Sequence, residues 1–324
     1  MRKLVIQIPC YNEEETLPVA LASLPRELPG FEVVEWLVID DGSRDGTVAV
    51  AKAHGVDHVV RLPRHQGLSR AFMAGLEASL KAGADVIVNT DADNQYNADD
   101  IPKLIAPILA GEAEMTVGAR PIADIRHFSP VKKILQRLGS WVTRLASNTD
   151  IDDAPSGFRA VTREAAMKLK VYTDYTYTIE TIIQAGQKGM AIISVPISTN
   201  PSLRSSRLVK SMFWYMNRQM LTMVRIFMTY RPFRFFAVPG VMFFAAGFLI
   251  GVRFVYFFVT VGGGGHIQSL ILAALLLGLG FFMVIVGLVA DLISVNRKLL
   301  EGVDWRLQKM EEHMHGRSGE PGRA

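Results

Sequence analysis

The chain has 324 residues, a net charge of +4, one cysteine and an apolar content of 49%, with a mean hydropathy of +0.22. A single cysteine, Cys10, excludes an internal disulfide and suits a reducing compartment. The hydropathy is too high for an ordinary cytosolic enzyme, and the excess lies between Phe235 and Ile293.

The N-terminal run MRKLVIQIPCY carries two positive charges but is cut short at Pro9, so it predicts a first strand rather than a signal peptide. Short β-rich runs follow at Lys3–Ile8, Val33–Asp40, His58–Leu62, Asp85–Asp91 and Glu114–Ala119. Helical patterns separate them at Glu13–Leu24, Gly46–His54, Gly67–Lys81 and Ile101–Leu109. This alternation predicts an α/β domain, a mostly parallel sheet with helices on both faces. The unbroken apolar run in DVIVNTD fits a strand buried on both sides.

Ligands of such sheets bind beyond the carboxyl ends of the strands. PCYNEEE (Pro9–Glu15) follows the first strand, DDGSRDGT (Asp40–Thr47) the second and DADNQY (Asp91–Tyr96) the fourth. The sequence therefore predicts one site at one edge.

After Asn200 the composition shifts. Residues 202–234 include basic residues and no acidic one, with Met, Phe, Trp and Tyr interleaved. From Lys210 to Arg234 this reads as an amphipathic helix at a membrane surface. Phe235–Val259 and Ile267–Ile293 are each long enough to cross a bilayer, which takes ~20 residues. Arg253 lies toward one end of the first span, within snorkelling reach of the surface. The connector VGGGGHIQ has no Lys or Arg and both outer flanks do, which predicts cytoplasmic termini. The tail from Asn296 predicts an exposed helix followed by disorder. The expected division is a catalytic domain over 1–203, an interfacial segment over 204–234, a membrane hairpin over 235–293 and a C-terminal helix with tail over 294–324.

Asp91 and Asp93 can turn toward one point and suit a hard divalent cation, with Gln95 as a third oxygen ligand. The plainer reading of a lone D-x-D is an Asx turn after a strand. YNE and DDGS converging on the same edge favour a ligand site. The YNEE stretch also reads as a helix N-terminus with Asn12 as its cap.

Taken together, IPCYNEEE, LVIDDGSRDGT, NTDADNQY followed by DDIPKL, VGAR and DAPSGFRA resemble the inverting family 2 glycosyltransferases of the GT-A fold. More narrowly they are similar to the polyprenyl-phosphate sugar transferases, the dolichol-phosphate mannose synthase group, one branch of which carries two C-terminal membrane helices. The resemblance spans roughly residues 4 to 210. It implies that Pro9, Tyr11 and Glu13 flank the nucleotide's base and ribose, that Asp41 lines the base pocket, and that Asp40 and Ser43 shape the turn. Asp91 would reach the ribose or metal, while Asp93 with Gln95 would hold Mg²⁺ or Mn²⁺ against the diphosphate. One position departs from the pattern: His65 stands where the family's N-x-G-x-x-x-A element has Asn, with Gly67 and Ala71 in place.

A lipid phosphate is already ionised at neutral pH, so as acceptor it needs positioning cations rather than a strong base. The resemblance places Arg120, Lys132, Lys133 and Arg137 in the phosphate-clamping region, Asp153 and Ser156 beside the acceptor, and Arg204 and Arg207 in a loop that closes on the nucleotide phosphates. Asp93, Arg120 and Asp153 form the expected catalytic set. The implied reaction moves one sugar from a UDP- or GDP-sugar to a polyprenyl phosphate, with membrane lipid around it, no nucleic-acid partner and homo-oligomerisation left open. Three other readings are weighed. A processive polysaccharide synthase would carry a Q-x-x-R-W element absent here. A silent scaffold has no need of an intact D-x-D-x-Q. A soluble nucleotidyltransferase has no use for membrane spans.

Overall fold

The computed structural model describes residues 2–121, 140–141, 143–144, 147–171, 177–201, 224–225, 228–262 and 267–318. The chain divides into two units, Met1–Gln219 and Met220–Ala324.

In the first unit seven strands form one sheet: β1 (Lys3–Cys10), β2 (Val33–Asp40), β3 (His58–Arg61), β4 (Val86–Asn89), β5 (Met115–Ala119), β6 (Arg159–Thr162) and β7 (Ile192–Pro196), in the order β3-β2-β1-β4-β6-β5-β7. The helices are α1 (Leu17–Ser23), α2 (Thr47–Ala53), α3 (Leu68–Lys81), α4 (Ile101–Leu109), α5 (Arg163–Lys168) and α6 (Tyr177–Gln187). Among the described strands, β6 alone runs antiparallel to its neighbours β4 and β5; the other strand pairs are parallel. That reversal decides where the site forms. The parallel strands deliver their carboxyl ends to one edge, and β6 delivers its beginning there, with Asn89 opposite Arg159 and Val117 opposite the same residue. The DAPSGF segment ahead of β6 thus lands beside the segments leaving β4 and β5.

Strand β1 is buried from Leu4 to Cys10, and Gln7 within it donates from Nε2 to Asn89 Oδ1 at 2.9 Å. Pro9 in so central a strand looks misplaced, because proline cannot donate to a ladder. Lys3 and Gln7 turn their carbonyls toward β4, accepting from Asp85 and Thr90. Pro9 faces the same way two residues past Gln7, where β4 has already ended at Asn89. No β4 bond is lost, and the two strands part just below the site.

Helix α1 begins at Leu17, four residues later than expected. The N–H groups of Asn12, Glu13 and Glu14 are committed to Ser43 Oγ, Thr47 Oγ1 and Asp45 Oδ2, which holds this stretch as a loop against the 43–47 turn. Asn12 therefore does not cap the helix. It sits at φ +54° and accepts from Arg44 N instead, and Thr16 takes the N-cap position.

The second unit contains two long helices, α7 (Pro232–Val261) and α8 (Ile267–Ser318). Both are long and apolar enough to cross a membrane, with mean hydropathies of 2.2 and 2.8 over their most apolar stretches. They pack against each other through small residues. A Cβ on Gly280 would lie 2.6 Å from Gly240 O and from Phe244 N, and one on Gly247 would lie 2.9 Å from Ala273 O. Large apolar side chains elsewhere on both helices, among them Met242, Leu249, Leu275 and Leu292, are exposed. The second apolar run and the tail from Asn296 share one continuous helix.

Candidate active site

Asp91, Asp93 and Gln95 lie in the loop that leaves β4. Asn94 adopts φ +55°, which bends the chain so that Asp93 Oδ1 accepts from Gln95 N at 3.1 Å. The Asx turn is therefore present, and it organises the D-x-D-x-Q stretch rather than competing with it. The far side of the loop is fastened to the chain beyond β7, where Asn200 N donates to Gln95 O and Asn200 Nδ2 to Asn94 O.

Asp91 meets the start of β6. A Cβ built on Gly157 would fall 3.1 Å from Asp91 Oδ1 and 2.9 Å from the Tyr177 hydroxyl, so only glycine leaves room for both. Burial, then the charge on Asp93, push the Asp91 carboxyl up to about 7, and Arg120 and Arg159 pull the other way. A carboxylate pair crowded in this way, with a neighbouring amide side chain, fits a hard divalent cation, which would relieve the repulsion. Among the described residues no group of three His, Cys, Asp or Glu side chains forms a metal cage, so Asp91 and Asp93 would need Gln95 and ligand oxygens to complete one.

Arg120 leaves β5 and meets Asp153 in a two-pronged ion pair, Nε to Oδ2 at 2.6 Å and Nη2 to Oδ1 at 3.0 Å. Asp153 is fully buried and the Arg120 side chain nearly so. The guanidinium stays firmly protonated: burial works against its charge, and Tyr96 and Asp153 outweigh that. Ser156 is buried, and its Oγ has no hydrogen-bond partner among the described residues.

The residues expected on the donor side lie at the ends of β1 and β2. Pro9 is buried in β1 and Tyr11 follows it. Glu13 Oε2 accepts from Thr16 Oγ1 at 2.6 Å. Asp40 accepts from Ser43 N at 2.8 Å, which confirms the expected turn. Asp41 accepts from Gln66 N and Gly67 N at 2.7 and 2.8 Å, tying the 64–67 loop to the end of β2. Lys132, Lys133, Arg137, Arg204 and Arg207 lie outside the described residues.

The structure adds side chains that the motif reading did not single out. Asn89 Nδ2 donates to Gly157 O and to the Tyr177 hydroxyl, at 2.8 and 3.1 Å. Tyr177 stacks on Phe72, and Tyr96 Oη accepts from Gly157 N at 2.9 Å. Arg159, almost fully buried, donates to Thr178 O, to Thr181 Oγ1 and to the carbonyls of Ala154 and Ser156. It forms no ion pair among the described residues. The asparagine ending an apolar strand and the arginine of SGFR were the visible signals; Tyr177 had none.

A mostly parallel sheet with an aspartate pair in the loop leaving one strand's carboxyl end is an α/β ligand-binding architecture. The profile of "Glycosyl transferase family 2" matches residues 5–170, about half the chain, and the chain belongs to that family. A polyprenol monophosphomannose synthase of Mycolicibacterium smegmatis is 30% identical over 208 residues, covering 61% of this chain and 77% of that one. An undecaprenyl-phosphate mannosyltransferase of Micrococcus luteus is 29% identical, covering 61% and 83%. Among solved structures, glucosyl-3-phosphoglycerate synthase of Mycobacterium tuberculosis, in complex with Mn²⁺, UDP and glucosyl-3-phosphoglycerate, superposes with a TM-score of 0.55 at 22% identity, covering 70% and 79%. That likeness concerns the fold.

Proposed function

We propose that this glycosyltransferase moves one sugar from a nucleoside-diphosphate sugar to a polyprenyl phosphate at the cytoplasmic face of a membrane, with inversion at the anomeric carbon. The observation that carries the reading is the buried Arg120–Asp153 pair beside the Asp91–Asp93 loop, in a chain that also holds two long apolar helices. A fixed cation next to crowded carboxylates suits two phosphate-bearing substrates held together. The names of the mycobacterial and Micrococcus relatives support the lipid phosphate as acceptor.

Pro9, Tyr11, Glu13 and Asp41 take the base and ribose, and Asp91 the ribose or metal. Asp91, Asp93 and Gln95 would hold Mg²⁺ or Mn²⁺, which when bound offsets the charge of the departing diphosphate. Arg120 holds the acceptor phosphate. Asp153 occupies its Nε and Nη2, fixing the plane of the guanidinium and leaving Nη1 for the ligand. Ser156 and one or more of Lys132, Lys133 and Arg137 complete the acceptor grip, and Arg204 and Arg207 close on the donor phosphates. A phosphate oxygen then forms the bond to the anomeric carbon as the bond to the diphosphate breaks on the opposite face. No proton has to be removed.

Membranes from cells making the chain should pass label from a UDP- or GDP-sugar into an organic-extractable lipid labile to mild acid. A chelator should stop the transfer, and Mg²⁺ or Mn²⁺ should restore it. Asp93→Asn should lose roughly 100-fold in kcat, about 3 kcal/mol of transition-state stabilisation. Full turnover by Asp93→Asn, or indifference to chelator, removes the metal from the account.

A further inference from the structure

His65, the position that departs from the family pattern, has two neighbours. Its ring stacks on Tyr11 with centroids 3.9 Å apart and planes inclined by 23°. Its Nδ1 lies 2.8 Å from Asp41 Oδ2. An aromatic face beside a buried carboxylate is what a nucleobase needs, since the base stacks on one and donates a ring N–H to the other. Here one side chain takes both, and a separation of one ring thickness admits nothing between Tyr11 and His65.

We propose that His65 is an internal stand-in for the nucleobase, holding the Tyr11 face and the Asp41 acceptor closed until the donor's base displaces it. The inference rests on the reading of Tyr11 and Asp41 as base-binding residues. The surrounding backbone makes such a side-chain gate workable. Asp41 grips Gln66 N and Gly67 N whatever His65 does. Gly42, at φ +73°, lies so close to this loop that a Cβ there would sit 2.6 Å from Arg64 C and His65 N. The loop is thus pinned at its backbone, while the His65 side chain is 52% exposed and held by the stack and one polar contact. Rotation about its side-chain bonds would release both features without moving the loop. Closure by His65 lowers the apparent nucleotide affinity in proportion to the time it spends closed.

The opposite arrangement, with His65 as a fixed second shelf under the base, predicts the opposite sign on mutation. Calorimetry on the purified full chain, with UDP and GDP titrated separately, decides between them. His65→Ala should tighten binding of the preferred nucleotide by roughly three- to tenfold, while Tyr11→Ala weakens it. A melting temperature matching the parent establishes that the variant folds; His65→Asn, which offers no ring, should also tighten binding and serves if the alanine variant does not fold. Unchanged or weaker binding by the His65 variant, with Tyr11→Ala still damaging, overturns the gate and leaves the base site standing. Affinity indifferent to both Tyr11→Ala and His65→Ala overturns the gate and the base-site reading together.

Discussion

Arg120 enters the ion pair with Asp153 through two of its three nitrogens, which defines what its removal should do. An incoming lipid phosphate beside a bound diphosphate is repelled unless fixed cations offset the charge. Arg120→Ala should therefore slow transfer to lipid by at least tenfold while changing nucleotide affinity less than threefold, order-of-magnitude figures for one charge-assisted contact. Arg120→Lys should recover part of the rate, because an ammonium cannot keep the two-pronged hold on Asp153. Calorimetry and lipid extraction on the same variants check this, and parallel losses of binding and rate would move Arg120 to the donor side. Residues of this kind were legible because they stand in short motifs at strand ends. Tyr177 was not, because its meaning lies in a contact with Asn89, 88 residues away in the chain, which no local pattern records. The placement of His65 on Tyr11 was invisible for the same reason.

Among the elements, β1 to β5 followed directly from apolar runs and alternation. β6 and β7 did not; β6 begins with an arginine whose burial depends on carbonyls from two other segments. The late start of α1 was hidden too, because side chains at 43–47 claim the N–H groups that would have opened it. The DDIPKL stretch shows how an element is anchored. Asp100 accepts from Ser198 N and Oγ, both at 2.6 Å, and pairs with Lys103 at 2.5 Å, joining the start of α4 to the chain after β7. Burial opposes its charge, but Lys103 and Ser198 hold the carboxyl below its ordinary value. A carboxyl lowered on folding contributes stability that is full above about pH 4 and fades as the pH falls through its folded value. Asp100→Asn should cost about 2 kcal/mol at neutral pH, and melts of the detergent-solubilised chain should show the gap narrowing below about pH 4. A gap that is constant with pH would exclude the charged form as its origin. In the second unit, Gly280→Ala meets backbone at 2.6 Å, whereas nothing lies within 4 Å of a Cβ on Gly278. Gly280→Ala should destabilise the hairpin by about 1–3 kcal/mol of overpacking and so lower its unfolding midpoint, and Gly278→Ala should leave the midpoint unchanged or raised, as titration with a denaturing detergent would report.

For the molecule as a whole, the two units divide the labour. The first carries the sheet-edge site. The second exposes apolar side chains along two helices, a surface that water would not tolerate and lipid would. Basic residues flank the two apolar runs on their outer sides, Arg231 and Arg234 before Phe235 and Arg297 and Lys298 after Ile293, and none lies in the connector. The proposed topology follows, with both termini cytoplasmic. A reporter fused after Ala324 should be active only in the cytoplasm, and activity confined to the outside would place the tail across the membrane from the sugar donor.

The most direct test of the central claim compares acceptors on the purified full chain. With a labelled nucleotide sugar and Mg²⁺ or Mn²⁺, the chain is offered a polyprenyl phosphate, the corresponding polyprenol, or 3-phosphoglycerate as a water-soluble phosphate ester. The account predicts label in the polyprenyl phosphate product alone, lost in Asp93→Asn and strongly reduced in Arg120→Ala. Label in the polyprenol or in a water-soluble phosphate ester, with none in the lipid phosphate, would contradict it.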